Sequence, residues 1–177
     1  MAKREALREL QARLAKRLQM AQVEGMAVSW LAVRAASAHY LLPLAQSGEI
    51  VALTAVQRVP FTKAWYQGVL NVRGNVVGVV DLGAFLAVDQ ARPPSPAVAN
   101  PDASAVTFNS ALDVHCALRV DSLVGLRGKD AFATSAEKAT SAPAYFGPCF
   151  VDAEGLRWQV LDLRALAQTP SFLTIAA

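Results

Sequence analysis

Two histidines and two cysteines are all the imidazole and thiol chemistry in this 177-residue chain. Cys116 and Cys149 lie far apart in apolar runs, with no CxxC or Cys/His ligand spacing around them. They read as reduced, buried thiols rather than as metal ligands. His115 and Cys116 are neighbours, so on a strand their side chains point to opposite faces and cannot form a dyad. There is no Gly-x-Ser-x-Gly elbow and no pair of carboxylates at useful spacing. These absences argue against an enzyme, and no cofactor or metal is expected. Charge is also scarce, at 18% of residues with a net +3. Residues 1–24 carry six basic and three acidic side chains, so the remainder is neutral. Aromatics amount to 7%, and no basic run is interleaved with them. Nucleic acid is therefore not an expected partner. No apolar run reaches the roughly 20 residues of a membrane span, and no signal-peptide pattern opens the chain. The expectation is a cytoplasmic protein without direct membrane insertion.

What the chain does have is apolar content, 54% of residues, cut into short pieces by turn residues. Residues 3–24 carry Leu7, Leu10, Leu14 and Leu18 at spacings of three and four, a helical stripe that Gly25 would end. Such a helix would pack on the body or on a partner, because its leucines would otherwise stay exposed. Short strands are then expected near 27–34, 39–44, 47–53, 67–72, 76–80, 104–109, 113–120, 121–127, 145–151 and 156–161. The proline-rich stretch 87–103 reads as a surface loop. Gly128–Pro143 is polar and alanine-rich, suited to a short helical turn. Ten short strands with few long helices argue for barrels or a sandwich.

The most organised segment is Trp65–Leu86. Two valine-rich strands flank Arg73-Gly74-Asn75, where Gly and Asn tolerate the positive φ of a hairpin turn. Asp81 then precedes Leu82, Phe85 and Leu86 as a helix cap. An echo follows later: Val79-Val80-Asp81-Leu82 is matched by Val160-Leu161-Asp162-Leu163, and each Asp would cap a short helix. Asp152–Gly155 gives a second hairpin connection. A segment this ordered and this poor in reactive groups suits a surface that holds another protein.

The order of these motifs resembles the CheW-like adaptors of bacterial chemosensory systems. The residues that carry the resemblance are Tyr40-Leu41-Leu42-Pro43, Glu49-Ile50, Pro60, Gly68-Val69-Leu70-Asn71-Val72-Arg73-Gly74, Val79-Val80-Asp81-Leu82, Val120-Asp121 and Leu161-Asp162-Leu163. The leucine helix, Ser29-Trp30 and Ser171-Phe172-Leu173 are similar to the branch that serves type IV pili. The resemblance implies a mainly β fold of two five-stranded Src-homology-3-like barrels sharing one core, plus an N-terminal amphipathic helix. It divides the chain into a helix (1–25), a CheW-like domain of two interleaved lobes (26–170) and a tail (171–177). It implies an adaptor without catalysis, docked between the cytoplasmic tip of a methyl-accepting chemoreceptor and the regulatory domain of a CheA-type histidine kinase. Self-association stays open. Expected partner-binding residues are Glu49, Ile50, Asn71, Val72, Arg73 and Gly74, with Glu49 and Arg73 joined in a bidentate pair. The family has proline where this chain has Gly78. Two alternatives stay open: a coupling protein of flagellar chemotaxis, and a regulatory barrel that binds a small ligand.

Overall fold

The computed structural model describes residues 28–92, 102–137 and 139–177. The expected helix at 1–25 lies outside them. The described residues form eleven strands in two sheets. The strands are β1 (Val28–Ala35), β2 (Ala38–Pro43), β3 (Ser47–Ala52), β4 (Tyr66–Val72), β5 (Asn75–Asp81), β6 (Ser104–Phe108), β7 (Cys116–Val120), β8 (Ser122–Gly128), β9 (Thr134–Ala136), β10 (Phe146–Val151) and β11 (Arg157–Leu161). Lobe 1 is the sheet β3-β6-β7-β5-β4, and lobe 2 is the sheet β8-β1-β2-β11-β10-β9. Helix α1 (Leu82–Asp89) follows β5, and α2 (Leu163–Ala167) follows β11. The chain enters through lobe 2, builds lobe 1, and returns to finish lobe 2.

The sequence echo is a structural repeat. β5 pairs antiparallel with β4 and parallel with β7, as β11 pairs antiparallel with β10 and parallel with β2. Asp81 accepts from the Ala84 N–H at 2.9 Å and Asp162 from the Ala165 N–H at 3.1 Å, so both carboxylates cap the helices as expected. Their own N–H groups donate to the Trp65 and Tyr145 carbonyls, each at 2.8 Å. Lobe 2 thus repeats lobe 1 with its last two strands supplied from the start of the chain.

Strand alternation divides the apolar residues among three clusters. Leu70, Val77, Val79, Ala105 and Ala117 fill lobe 1. Trp30, Ala32, Leu41, Trp158 and Val160 fill lobe 2. The largest cluster lies between the lobes, where Leu31, Val33 and Leu42 meet Val106, Leu118 and Val120 under α1 and α2.

Two stretches differ from expectation. Within 128–143 the chain makes a 3-10 turn (Lys129–Ala131) and then β9, which adds a sixth strand to lobe 2 by pairing with β10. Three exposed small residues give no periodic signal, so this strand comes from pairing rather than propensity. The stretch 171–177, expected as a tail, packs against the body. Helix α3 (Pro170–Leu173) puts Phe172 in the interlobe core, stacked at 6.0 Å on Phe108 and at 6.4 Å on Trp65. The Ile175 carbonyl then accepts from Lys63 N–H at 2.8 Å.

The β10–β11 turn is organised by Asp152, whose carboxylate accepts from Leu156 N–H at 2.8 Å, Glu154 N–H at 3.1 Å and Trp158 Nε1–H at 2.8 Å. The Trp158 bond leads in holding this carboxyl below the usual aspartate range, against the opposing effect of burial. A depressed folded value gives stability that is complete above the unfolded value and lost as pH falls through the folded one. Asp152→Asn should therefore lower Tm by several degrees at neutral pH, with the gap closing below about pH 4. A gap that does not change with pH would assign the loss to shape. Phe172→Ala should cost about 3–5 kcal/mol in chemical denaturation, and a loss below about 1 kcal/mol would place Phe172 outside the core energetics.

Candidate functional site

The β4–β5 hairpin turns at Arg73-Gly74, between the paired residues Val72 and Asn75. Both central residues have positive φ, 51° for Arg73 and 90° for Gly74, as a two-residue hairpin that matches strand twist requires. Asn75, expected in the turn, is instead the first residue of β5. Asn71 Oδ1 accepts from Gly74 N–H at 2.8 Å and fixes the turn from its base. Val72 is half-buried and packs on the lobe 1 core.

β3 and β4 are the two edges of the lobe 1 sheet, and the sheet curls to bring them together. Gln57, in the linker after β3, exchanges both backbone hydrogen bonds with Val69 of β4, each at 2.8 Å. A side chain at Gly68 would collide with the Gln57 backbone there, so glycine is required at this closure. Farther along the seam Arg73 Nε meets Glu49 Oε2 at 3.0 Å. The expected fork is seen as a contact through this one nitrogen. The side chains are 79% and 45% exposed, so the pair contributes about 0–1 kcal/mol. Ile50 beside it is 50% exposed.

Five of the six expected contact residues, Glu49, Asn71, Val72, Arg73 and Gly74, gather at the seam and its turn, and Ile50 extends along β3. Sequence reading missed the opposite wall. Thr107, buried in β6, accepts from Glu49 N–H through Oγ1 at 2.7 Å and donates to the Glu49 carbonyl at 3.3 Å. It thereby fixes the backbone that carries the acidic partner. Between this seam and the β6–β7 connection lies an open cleft of about 370 Å³. Its far wall includes Asn109, Asp113 and His115. The 3-10 turn Ser110–Leu112, capped by Asn109 Oδ1 on Ala111 N–H at 2.9 Å, shapes that wall, and β7 begins at Cys116 rather than at the expected residue 113.

The thiol of Cys116 is pushed up to about 12 by burial, so it stays protonated and unreactive near neutral pH. His115 is exposed while Cys116 is buried, the opposite-face arrangement expected. Cys116 and Cys149 are both free. No group of three or more His, Cys, Asp or Glu side chains suited to a metal occurs among the described residues. The seam presents a polar rim, Glu49 and Arg73, with Ile50 exposed beside it.

At Gly78 of β5, where the resemblance led to an expectation of proline, the N–H donates to the His115 carbonyl at 2.9 Å. A Cβ there would also press on the Tyr66 ring. Glycine thus lets β5 pair fully with β7 beside the cleft.

Comparison with known proteins gives a consistent family pattern. The profile of the CheW-like domain matches residues 29–171. Protein PilI of Pseudomonas aeruginosa is 29% identical over 167 residues, which cover 93% of this chain and 89% of that protein. The crystal structure of the scaffolding protein TtCheW from Thermoanaerobacter tengcongensis superposes with a TM-score of 0.59 at 16% identity, covering 77% of this chain and 89% of that one. The likeness to TtCheW is one of fold. No helix among the described residues is long and apolar enough to cross a membrane.

Gly78→Pro should destabilise this chain by about 1–3 kcal/mol, because the His115 carbonyl loses its donor. Unchanged stability in urea denaturation would show that β5 and β7 adapt without that bond.

Proposed function

This chain belongs to the CheW-like domain family, and we propose that it is a non-enzymatic adaptor that couples methyl-accepting chemoreceptors to a CheA-type histidine kinase in the control of type IV pili and twitching motility. The observation that carries the pilus reading is the near end-to-end match with Protein PilI. The adaptor is cytoplasmic and peripheral to membrane-bound receptor arrays. Its docking module is the domain expected over residues 26–170 together with the stretch 171–177 that packs on it, and residues 1–25 precede it.

The function would rest on simultaneous docking. A receptor tip with two states passes a signal only if the adaptor binds those states with different free energies. Weak contacts to kinase and receptor add through multivalency when they are held on one body. The interlobe core and the chain's path through both lobes support such a body. We assign the kinase or receptor contact in lobe 1 to the seam: Glu49 and Ile50 on β3, and Asn71, Val72, Arg73 and Gly74 at the hairpin. Glu49 and Arg73 add little to folding there, so their side chains serve geometry and recognition. Coupling in flagellar chemotaxis would use the same mechanism with different partners.

Titration of the purified chain against CheA-type regulatory domains and receptor-tip peptides tests this reading. Arg73→Ala should weaken binding of one of them about tenfold while Tm moves by no more than a few degrees. A large fall in Tm with unaltered affinity would make Arg73 structural. Absence of binding to every such domain and tip would remove the signalling role.

A further inference from the structure

The linker between β3 and β4 holds the most exposed large apolar side chain among the described residues. Phe61 is 90% exposed, against 63% for Val88, the next. Its backbone is left-handed, at φ 58°, a conformation that is rare and unfavourable for a bulky L-residue. The ring belongs to none of the three apolar clusters, so packing does not offset this cost. The surrounding backbone imposes the conformation. Thr62 Oγ1 donates to the Val59 carbonyl at 2.8 Å. The Phe61 carbonyl accepts from Ala177 N–H at 3.1 Å, and Lys63 N–H donates to the Ile175 carbonyl at 2.8 Å. Thr62 is bridged antiparallel to Ala176, and Phe172 anchors that C-terminal stretch in the interlobe core. Glycine would serve this backbone without strain, so the fold does not need a phenyl ring there. Strain that the surroundings over-determine is characteristic of functional positions.

A depression of about 170 Å³ opens beside the ring. Arg58 and Lys63 bring two cations to it, Thr62, Tyr66 and Gln67 bring neutral polar groups, and no carboxylate side chain lines it. Neither cation forms an ion pair among the described residues. The Lys63 ammonium is held 5.7 Å from the centre of the buried Trp65 ring. Aromatic residues and arginine are the side chains enriched where proteins touch, and two uncompensated cations select a partner of opposite charge. We propose that this linker is a docking surface separate from the seam, and that its occupant is an acidic peptide segment of another protein. A carboxylate of that segment enters the depression between Arg58 and Lys63, and an apolar residue next to it covers Phe61. The depression adjoins the start of β4 and the Arg73 turn follows its end, about 20 Å of strand apart, so both surfaces can be occupied at once. The proposal does not rest on the adaptor reading, and its test uses no kinase or receptor.

The test is a titration of the isotope-labelled full chain, followed by amide chemical shifts, with the acetylated and amidated peptide Glu-Leu-Glu-Glu-Leu-Glu. The same peptide with lysine for every glutamate is the control. Saturable shifts are expected for amides within 58–67 with the glutamate peptide and not with the lysine peptide. Phe61→Gly should weaken this binding about fivefold or more while Tm stays equal or rises. Arg58→Glu combined with Lys63→Glu should abolish it, and Arg73→Ala should leave it unchanged. If the double charge reversal does not fold, Phe61→Gly carries the comparison. No saturable shift up to about 10 mM peptide, or equal shifts with both peptides, would overturn the proposal. A fall in Tm of more than a few degrees in Phe61→Gly would assign the ring to folding instead. Tighter binding of the linker to phosphatidylglycerol vesicles than to the peptide would also overturn it and assign the surface to a membrane.

Discussion

Each sheet has an apolar side that only the other sheet covers, and this mutual burial governs the rest of the structure. β1 and β2 of lobe 2 present Leu31, Val33 and Leu42 to Val106, Leu118 and Val120 of lobe 1, with α1, α2 and Phe172 completing the cluster. Burial of this kind is non-directional and scales with area. It would hold the lobes together without fixing their angle, and direction comes from the chain path and from polar contacts at the rim. β7 leaves lobe 1 and becomes β8 of lobe 2 after Asp121 alone, so the two sheets are tied here by a single residue.

The rim contacts differ between the two halves of the repeat. After β5, Asp81 caps α1 with one oxygen and meets Arg119 Nη1 with the other at 2.6 Å. Arg119 also reaches Asp121 at 3.4 Å, and Asp121 accepts from Ala36 N–H at 2.6 Å in the β1–β2 turn. One half-buried guanidinium thus links β5 and α1 of lobe 1 to a hairpin of lobe 2. After β11 the same place is filled by neutral groups. Gln46 Nε2 donates to Asp162 at 3.1 Å and its Oε1 accepts from Leu163 N–H at 2.7 Å. An amide with one donor and one acceptor in use does the work of the ion pair with less charge to desolvate. Charged hydrogen bonds are the more directional solution, and they stand on the half that carries the seam.

The parts of this architecture that were legible in the sequence are the local ones. A hairpin turn, a capping aspartate and a valine-rich strand are encoded within four to eight residues, so the β4–β5 hairpin, the two helix caps and most strand positions could be read directly. β9 could not, because three exposed small residues become a strand only by pairing with β10. Phe172 could not be placed either, since its neighbours Phe108 and Trp65 come from distant segments. The same limit applied at the candidate site. Glu49 and Arg73 were paired through the family pattern, whereas Thr107 carries no motif and becomes visible only once β6 is set beside β3. Asn75 and Arg73 exchanged roles in the turn because an Asn-Gly or Gly-Asn pair suggests positive φ at either neighbour, and the two-residue loop settled on Arg73.

Closure of lobe 1 is carried by the backbone exchange between Gln57 and Val69, made feasible by Gly68, and not by the ion pair beside it. A residue needed to close a barrel cannot leave its partner without opening the sheet. Arg73 has no such duty. Its backbone is fixed by the turn and by Asn71, its guanidinium is mostly in water, and its bond to Glu49 is weak enough to be replaced by a carboxylate of another chain at small cost. For the proposed docking at the seam, preorganised backbone with an exchangeable side-chain contact would keep the entropic loss low, and it would concentrate the discrimination in a residue that the fold can spare.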